Sequence, residues 1–160
     1  MTEALEKTAR TIQEKFPDAV TGWTVYLGDL SVRVKREQLR AVSRFVHDAP
    51  GMEFDYIVHI SSVDWPKDAE RFEIVYEYYS IRRRERIRFK TRVPETDPVV
   101  DSVYDIWRGA EWQEREVYDM MGIRFNHHPD LRRILLPDEF DEGYPLRKEY
   151  PVEGKAGATT

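Results

Sequence analysis

The chain has 160 residues, 41% of them hydrophobic, which is enough for one domain with a modest core, or for one such domain plus an appendage. Its formal net charge of −5 argues against a protein whose main task is to hold nucleic acid. The sequence contains no cysteine, which excludes disulfides, thiolate zinc sites and cysteine-ligated iron–sulfur clusters. No apolar run approaches the roughly 20 residues of a membrane-spanning helix, so we expect any membrane association to come through a partner.

The first third of the chain predicts helices and strands in alternation. Apolar residues recur at helical spacing from Leu5 to Phe16, and Pro17 ends this helix. The segment LSVRVK alternates apolar and polar residues and predicts a half-buried strand, with a turn at Gly28-Asp29 before it. The segment REQLRAVSRFVHDA returns to helical spacing, and FDYIVHIS predicts a further strand.

The segments FEIVYEYYS and RERIRFKTRV predict a hairpin. A turn near residues 80–83 would place apolar residues opposite each other on one face and charged residues opposite each other on the outer face. Because both sets of pairs agree with one register, the sequence favours that register. The predicted pairs are Tyr76 with Ile87, Ile74 with Phe89, Glu77 with Arg86 and Glu73 with Lys90.

After Pro94 the pattern predicts two short helices between about residues 97 and 121. Asp97-Pro98 is a good helix start, and Gly109 would end the first helix. The second is EWQEREVYDMM, with Gly122 as its stop. The sequence therefore predicts an α+β fold with a small mixed or antiparallel sheet, flanking helices and an extended irregular C-terminal tail.

Residues 126–160 form the predicted tail, and residues 1–125 the predicted α+β domain. Prolines at 129, 137, 145 and 151 exclude a helix of ordinary length from the tail. Its many leucines and tyrosines make it too apolar for a segment that stays in water. We therefore expect it to lie along another protein, where burial of Leu131, Ile134 and Leu136 would contribute roughly 1.5–3 kcal/mol each before ordering costs. Arg132 and Arg133 would bind partner carboxylates there.

Three groups of residues suggest chemistry, each with a plainer alternative. His127 and His128 resemble metal ligands, but adjacent histidines point apart in an extended chain, and a hydrogen bond at an interface is the favoured interpretation. The run RRRERIRFK resembles a nucleic-acid patch; a solvated outer face, partly neutralised by Glu73 and Glu77, is favoured, with contact to an acidic partner left open. In EREVYD, Arg115 and Asp119 are spaced to pair on a helix that is either solvated or part of a buried ion network, and acid–base catalysis is not favoured.

The span EREVYDMMGIRFNHHPDLRRI resembles the characteristic pattern of the 30 kDa subunit of respiratory complex I, which is the C subunit of the bacterial NADH–quinone oxidoreductase. The downstream LLPDEFDEGYPLRKEYP resembles the closing segment of that family, and the resemblance covers about residues 30–154. Two departures are Ala110-Glu111, where a small residue and Asn are common, and Glu149, where Asp is usual.

The resemblance implies a subunit without a cofactor or catalytic residues of its own, whose tail wraps the 49 kDa-type large subunit near the quinone cavity. FMN, iron–sulfur clusters and quinone are expected elsewhere in the complex. No metal ligands and no nucleic-acid contacts are expected on this chain. The implied interface residues are Glu114, Arg115, Glu116, Asp119, Gly122, His128, Pro129, Leu131, Arg132, Arg133, Leu136, Pro145, Leu146, Arg147, Lys148 and Tyr150.

The first functional hypothesis is therefore a non-catalytic peripheral-arm subunit of a proton-translocating NADH:quinone oxidoreductase. It would dock on the 49 kDa-type subunit, contact other peripheral-arm subunits, and lie at the cytoplasmic face of the cell membrane through the complex. The same subunit in a ferredoxin-dependent or hydrogenase-type membrane complex is the alternative. A third hypothesis is a nucleic-acid or acid-binding module that uses residues 82–90.

Overall fold

The computed structural model describes residues 2–153, which form a five-stranded mixed sheet, three α-helices and a small second sheet. The elements are α1 (Thr2–Lys15), β1 (Val20–Tyr26), β2 (Asp29–Val34), a 3₁₀ turn (Arg36–Gln38), α2 (Leu39–Asp48), β3 (Tyr56–Asp64), β4 (Phe72–Ser80), β5 (Glu85–Val93), β6 (Val99–Asp101), α3 (Ala110–Met121) and β7 (Arg124–Asn126). The strand order of the main sheet is β1-β2-β5-β4-β3, with β2 and β5 parallel and the other pairs antiparallel. The predicted α+β class with flanking helices and an irregular C-terminal tail is confirmed.

One face of the main sheet forms the core with the helices. The alternation of β4 and β5 points Tyr76, Tyr78 and Phe89 to this side, where all three are fully buried. Helices α1 and α2 contribute the apolar stripes that their spacing predicts, including Ile12 and Val42. Burial of these large side chains is the main driving force for the fold.

The opposite face of the sheet carries paired charges. Glu77 lies 2.5 Å from Arg88, and Glu73 lies 3.4 Å from Lys90 and 3.2 Å from Arg92. These contacts agree with the solvated, partly neutralised face that the sequence favours over a nucleic-acid patch. Each pair stabilises the sheet only modestly, because the basic side chains remain in contact with water.

The predicted register of the hairpin is wrong by two residues. Tyr78, not Tyr76, lies opposite Ile87, and Tyr76 lies opposite Phe89. The turn spans four residues, Ile81 to Arg84, and begins one residue later than predicted, which shifts the register by two. A shift of two residues keeps every side chain on its predicted face, because the period of a strand is two. The expected contact of Glu77 with Arg86 survives only as a diagonal one at 3.8 Å.

The predicted helix at 97–109 is also wrong. Its first part is β6, which pairs in parallel with β7, so that Val100 lies beside Phe125. The backbone N–H of Ser102 donates to Asn126, and the N–H of Val103 donates to the Glu114 carboxylate, so neither makes a helical bond. The valines that suggested a helical stripe are buried, Val100 in a strand, which β-branched side chains favour, and Val103 in the loop that follows it.

Strand β7 ends at Asn126, the first residue of the segment that the sequence assigns to the tail. From there to residue 153 the chain forms turns and bends without a regular element. The tail does not extend away from the domain: Leu131 and Leu136 pack against the core, and Leu146 donates its N–H to Met120 at the end of α3. No helix within residues 2–153 is long and apolar enough to cross a membrane.

Candidate functional site

Helix α3 carries the segment EREVYD and divides its charges between the interior and the surface. Glu114, Arg115 and Asp119 are buried, whereas Glu116 is exposed. The helix ends at Gly122, which adopts the left-handed conformation with φ 73° and donates its N–H to the Tyr118 carbonyl. The predicted stop at glycine is confirmed, and the helix therefore presents a row of buried charged groups to the chain that follows.

The Asp119 carboxylate binds the backbone of the tail. One of its oxygens accepts hydrogen bonds from three consecutive N–H groups, those of Ile134 at 3.1 Å, Leu135 at 2.8 Å and Leu136 at 2.8 Å. The other oxygen is buried and has no hydrogen-bond partner within the described residues. Successive N–H groups form a concave anion site, and here the anion is a side chain of the same protein.

Arg115 binds the carbonyl groups just before that site. Its Nε donates to the Arg132 carbonyl at 3.0 Å, and a terminal nitrogen donates to the Arg133 carbonyl at 2.7 Å. Its guanidinium lies 5.2 Å from the ring centre of Trp112, which fixes its orientation. We call the set of contacts from Arg115 and Asp119 to residues 132–136 the backbone clamp. Both residues hold main-chain atoms, so the clamp fixes the path of the tail without reading its side chains.

Glu114 connects α3 to the turn after β6. Its carboxylate accepts hydrogen bonds from the Ser102 hydroxyl at 2.5 Å and from the Val103 N–H at 2.8 Å. Burial raises the pKa of Glu114 to about 7, and the Asp105 charge adds to this effect, although the Ser102 and Val103 bonds oppose it. The group is thus poised between its neutral and charged forms near neutral pH.

His128 closes over the same helix. Its Nδ1 accepts the Asp130 N–H at 3.0 Å, so its Nε2 is the nitrogen that donates, to the Glu111 carbonyl at 3.0 Å. This Nε2 also lies 3.9 Å from Glu114. His127 is exposed and points elsewhere, 4.0 Å from Asp101. The two histidines therefore separate as expected, and residues 2–153 contain no group of three or more His, Asp or Glu side chains placed to hold a metal ion.

A second part of the tail packs on the glycine that ends α3. The Arg147 Nε donates to the Met121 carbonyl at 2.8 Å, and its guanidinium stacks on Phe72 at 4.7 Å and on Tyr144 at 4.4 Å. A Cβ at Gly122 would lie 2.5 Å from the Tyr144 ring. Gly122 is therefore required by the tail as well as by the helix stop.

A buried ion pair at the end of β3 anchors the last described residues. Both carboxylate oxygens of Asp64 accept from Arg71 at 2.8 Å, and the same carboxylate accepts the Lys148 N–H at 2.8 Å. Arg71 also donates to Glu95 and to Glu149. The Arg71 guanidinium lowers the pKa of Asp64. Sequence reasoning missed this pair, because its members lie on either side of the loop between β3 and β4 and show no motif.

The structure divides the residues expected at the interface into three sets. Four are buried within the chain: Glu114, Arg115, Asp119 and Gly122. Seven are partly buried: His128, Leu131, Arg133, Leu136, Pro145, Arg147 and Tyr150. Five are exposed: Glu116, Pro129, Arg132, Leu146 and Lys148. Of the buried set, Arg115, Asp119 and Gly122 serve this chain's own tail. Glu114 serves the turn after β6, so a direct contact with another protein is available to the exposed set.

Three further exposed side chains lie on α3 and the tail, and the expected set did not include them. Trp112, Leu135 and Tyr144 are large and in contact with water, Leu135 with 61% of its surface exposed. Leu135 follows directly from the backbone clamp, because its N–H is held by Asp119 while its side chain points away from the core. Their apolar size among exposed neighbours is the signal that could have identified them.

Comparison with known proteins agrees with the motif. The family model described as "Respiratory-chain NADH dehydrogenase, 30 Kd subunit" matches residues 32–156. The C subunit of the NADH-quinone oxidoreductase of Hyphomonas neptunium is 42% identical over 153 residues, which cover 96% of this chain and 75% of that protein. The corresponding protein of Geobacter sulfurreducens is 40% identical over 144 residues, which cover 89% and 87%.

Two solved structures resemble the fold. The trypsin-resistant fragment of Nqo5 matches with a TM-score of 0.66 and 32% identity, over 80% of this chain and 99% of the fragment. A chain of the membrane-bound sulfane sulfur reductase, an archaeal respiratory membrane complex, matches with a TM-score of 0.77 and 28% identity, over 92% of this chain and 85% of that one. The second match extends further along the chain than the first and has the higher TM-score.

Proposed function

Because the chain belongs to the family of 30 kDa subunits of respiratory-chain NADH dehydrogenase, we propose that it is a non-catalytic peripheral-arm subunit of a proton-translocating NADH:quinone oxidoreductase. It docks through its tail on the 49 kDa-type large subunit that forms the quinone site. It lies at the cytoplasmic face of the cell membrane, held there by the complex. It carries no cofactor, whereas FMN, iron–sulfur clusters and quinone belong to other subunits.

The observation that carries this proposal is the combination of a fixed backbone and exposed apolar side chains in the tail. The backbone clamp holds residues 132–136, yet Leu135 stays 61% exposed and Leu146 stays 58% exposed. Ordered apolar side chains in water are costly, and each would contribute roughly 1.5–3 kcal/mol on burial against a partner. A tail that is already ordered loses little conformational entropy on binding, which favours affinity.

The division of the chain into a domain and a docking tail is also a proposal, with the boundary at residue 126. The relative obtained as a trypsin-resistant fragment matches 80% of this chain, which supports an independently stable N-terminal part. The strands of the main sheet and the buried apolar residues of the core all lie before residue 126, so we expect them to stay folded when the tail is removed.

The docking proposal is tested by co-expression with the large subunit. The double variant Leu135→Asp, Leu146→Asp is expected to lower recovery of the large subunit at least about tenfold, because two buried apolar contacts become buried charges. The variant Arg10→Glu is the control, since Arg10 is also exposed but lies on α1 and not on the tail. Equal recovery with the double variant and the control would contradict docking through the tail.

The absence of catalysis has its own test. The purified chain is expected to oxidise no NADH and to carry neither flavin nor iron, as measured by absorbance and metal analysis. Stoichiometric flavin or iron in the pure chain would refute this part of the proposal.

A second candidate is the same subunit in a ferredoxin-dependent or hydrogenase-type membrane complex. The similarity to a chain of the archaeal sulfane sulfur reductase supports this second candidate, because a similar fold occurs there in a different respiratory membrane complex. Mass spectrometry of the complex purified through this chain separates the two candidates. Co-purifying NADH-oxidising subunits support the first, and their replacement by ferredoxin-linked or hydrogenase subunits supports the second.

A further inference from the structure

One end of the main sheet carries two turns side by side. One turn connects β1 to β2, and the other connects β4 to β5. Because β2 and β5 are parallel neighbours, both turns lie at the same end of the strands. Strand β3 also begins at this end of the sheet, because Tyr56 lies opposite Tyr79 near the end of β4. Neighbouring strands are about 4.8 Å apart, so the two turns lie within about 10–15 Å of each other. We call this end of the sheet, formed by residues 26–29, 56 and 80–86, the turn end.

The turn end exposes large apolar side chains that nothing in residues 2–153 covers. Leu27 is 88% exposed, Tyr26 74% and Ile81 61%, and Tyr56 is also exposed. Single exposed apolar residues are ordinary in proteins, but four at one end of a sheet are a cluster, which is typical of a binding surface. Together with the exposed residues of α3 and the tail, they make up most of the large exposed apolar side chains in the described chain.

Leu27 has a left-handed backbone conformation that leucine rarely adopts. It and Gly28 are the two central residues of the β1–β2 turn, with φ values of 49° and 87°. Such a two-residue turn favours Asn-Gly, because Asn tolerates positive φ far better than a branched aliphatic residue does. The chain thus bears backbone strain and apolar exposure at one position, and neither stabilises the fold. A bound partner would account for both.

The charges at the turn end indicate which kind of partner binds there. Arg84 makes no side-chain hydrogen bond or ion pair within residues 2–153, and Arg82 beside it is largely exposed. A second copy of the chain would place these arginines against each other in a two-fold contact. An anionic membrane is disfavoured by the net charge of −5 on the whole chain. Exposed aliphatic groups next to the unpaired Arg84, and to Arg82 whose only ion pair in the described residues is an exposed one with Glu53, fit a protein surface that is apolar and carries carboxylates.

We propose that the turn end is a second protein-binding surface, which takes an apolar, acidic surface of a different subunit of the complex from the one that the tail binds. The tail is anchored at Asp64 and Arg71, whose positions mark the opposite end of the sheet. Strand β4 separates the two ends by nine residues, or about 26 Å. The chain therefore bridges two neighbours, one at each end of its sheet. This inference rests on membership of the complex and not on the identity of the subunit that the tail binds.

Cross-linking in the assembled complex tests the proposal. A photoreactive amino acid replaces Leu27 in one preparation and Leu135 in another, and the cross-linked peptides are identified by mass spectrometry. We expect position 27 to reach a carboxylate-containing, apolar segment of a subunit that position 135 does not reach. A cross-link from position 27 to the large subunit, to a second copy or to lipid, or none at all, overturns the proposal. Failure of position 135 to reach the large subunit would instead count against docking of the tail.

Competition for assembly provides an independent test. The native chain and a variant are co-expressed with different tags, and their ratio in the purified complex is measured. Leu27→Asn and Arg84→Glu are each expected to fall about tenfold behind the native chain, whereas Arg10→Glu, an exposed arginine of α1, keeps pace. Leu27→Asn should also unfold at a temperature equal to or above that of the native chain, because it relieves the turn. Equal incorporation of Leu27→Asn, or a loss explained by a lower unfolding temperature, contradicts a binding role for this residue.

Discussion

Arg115 and Asp119 lie one turn apart on α3 and hold opposite polar groups of the same stretch of tail. Arg115 donates to the carbonyls of Arg132 and Arg133, and Asp119 accepts the N–H groups of the next three residues. The two charges are spaced to pair with each other, but in the described part of the chain no ion pair joins them. Their charge is directed to the backbone, which explains how a buried charged stripe is stabilised without a polar partner side chain.

The first prediction concerns Asp119. Replacing it with alanine removes the common acceptor of three N–H groups and opens the tail, while the core of the sheet stays folded. Hydrogen bonds to a charged group contribute about 1.5–3 kcal/mol each, and because these three share one oxygen we take about 3 kcal/mol in total. Amide exchange at residues 134–136 should then accelerate roughly a hundredfold, with the amides of β4 unchanged. Asp138→Ala, an exposed acid in the same tail, is the control, and unchanged exchange in Asp119→Ala would refute the clamp.

The second prediction concerns Gly122. Alanine there suffers both the positive φ of 73° and a Cβ 2.5 Å from the Tyr144 ring. Alanine at Gly51 has a similar φ of 84° and open space around it, so it suffers the backbone strain alone. Gly122→Ala should lower the free energy of unfolding by at least about 1 kcal/mol more than Gly51→Ala, as measured by urea denaturation. Adding Tyr144→Ala to Gly122→Ala should remove most of the excess and leave only the contact of that Cβ with the Arg147 guanidinium at 2.8 Å. If the full excess persists, Tyr144 is not its cause.

The third prediction concerns the pH dependence set by Glu114. Burial raises its pKa from an ordinary 4.5 to about 7, so between these values the folded state binds more protons than the unfolded state. Stability therefore falls as pH rises through this window, by roughly 3 kcal/mol, and the full penalty is present above pH 7. Glu114→Gln lacks this titration, so its stability relative to the native chain should improve from pH 5 to pH 8 in urea denaturation. Glu116→Gln, in solvent on the same helix, should follow the native chain. Parallel curves for Glu114→Gln and the native chain would exclude the raised pKa.

The fourth prediction concerns Arg71. Its removal leaves the buried Asp64 carboxylate without its bidentate partner, which costs about 3–5 kcal/mol in comparable buried pairs. Arg71→Ala should regain part of that loss as pH falls, because protonation neutralises the stranded acid. Arg92→Ala, which breaks more exposed pairs with Asp68 and Glu73, should cost about 1 kcal/mol and show no recovery. Thermal unfolding at pH 5 and pH 7 distinguishes the two variants, and equal losses would contradict the buried role of Arg71.

Local patterns predicted the elements whose structure depends on near neighbours. Helix α3 and its stop at Gly122 follow from spacing and from one glycine, and the faces of β4 and β5 follow from alternation. The hairpin register required the position of the turn, which paired charges specify poorly, because long side chains also reach diagonal neighbours. Strand β1 was not predicted, because the register shift between Val20 and Gly22 interrupts its alternation.

Long-range pairing decided the elements that local patterns missed. Asp97-Pro98 has the chemistry of a helix start, but Val99 and Val100 pair with β7 instead, and Glu114 satisfies the N–H of Val103. The site was predicted in composition but not in arrangement. EREVYD identified the important charges, yet only the fold shows that Glu114, Arg115 and Asp119 face inward, the last two toward the chain's own tail.

The backbone clamp has an evolutionary consequence. Because its contacts end on main-chain atoms, the exposed positions 132 and 135 can carry almost any side chain without loss of the clamp. The exposed side chains can thus be substituted one at a time while the path of the backbone stays constant. A scaffold of this kind can be adapted to a different partner by changing its exposed side chains alone, and a designer could exchange residues 132 and 135 to redirect its binding.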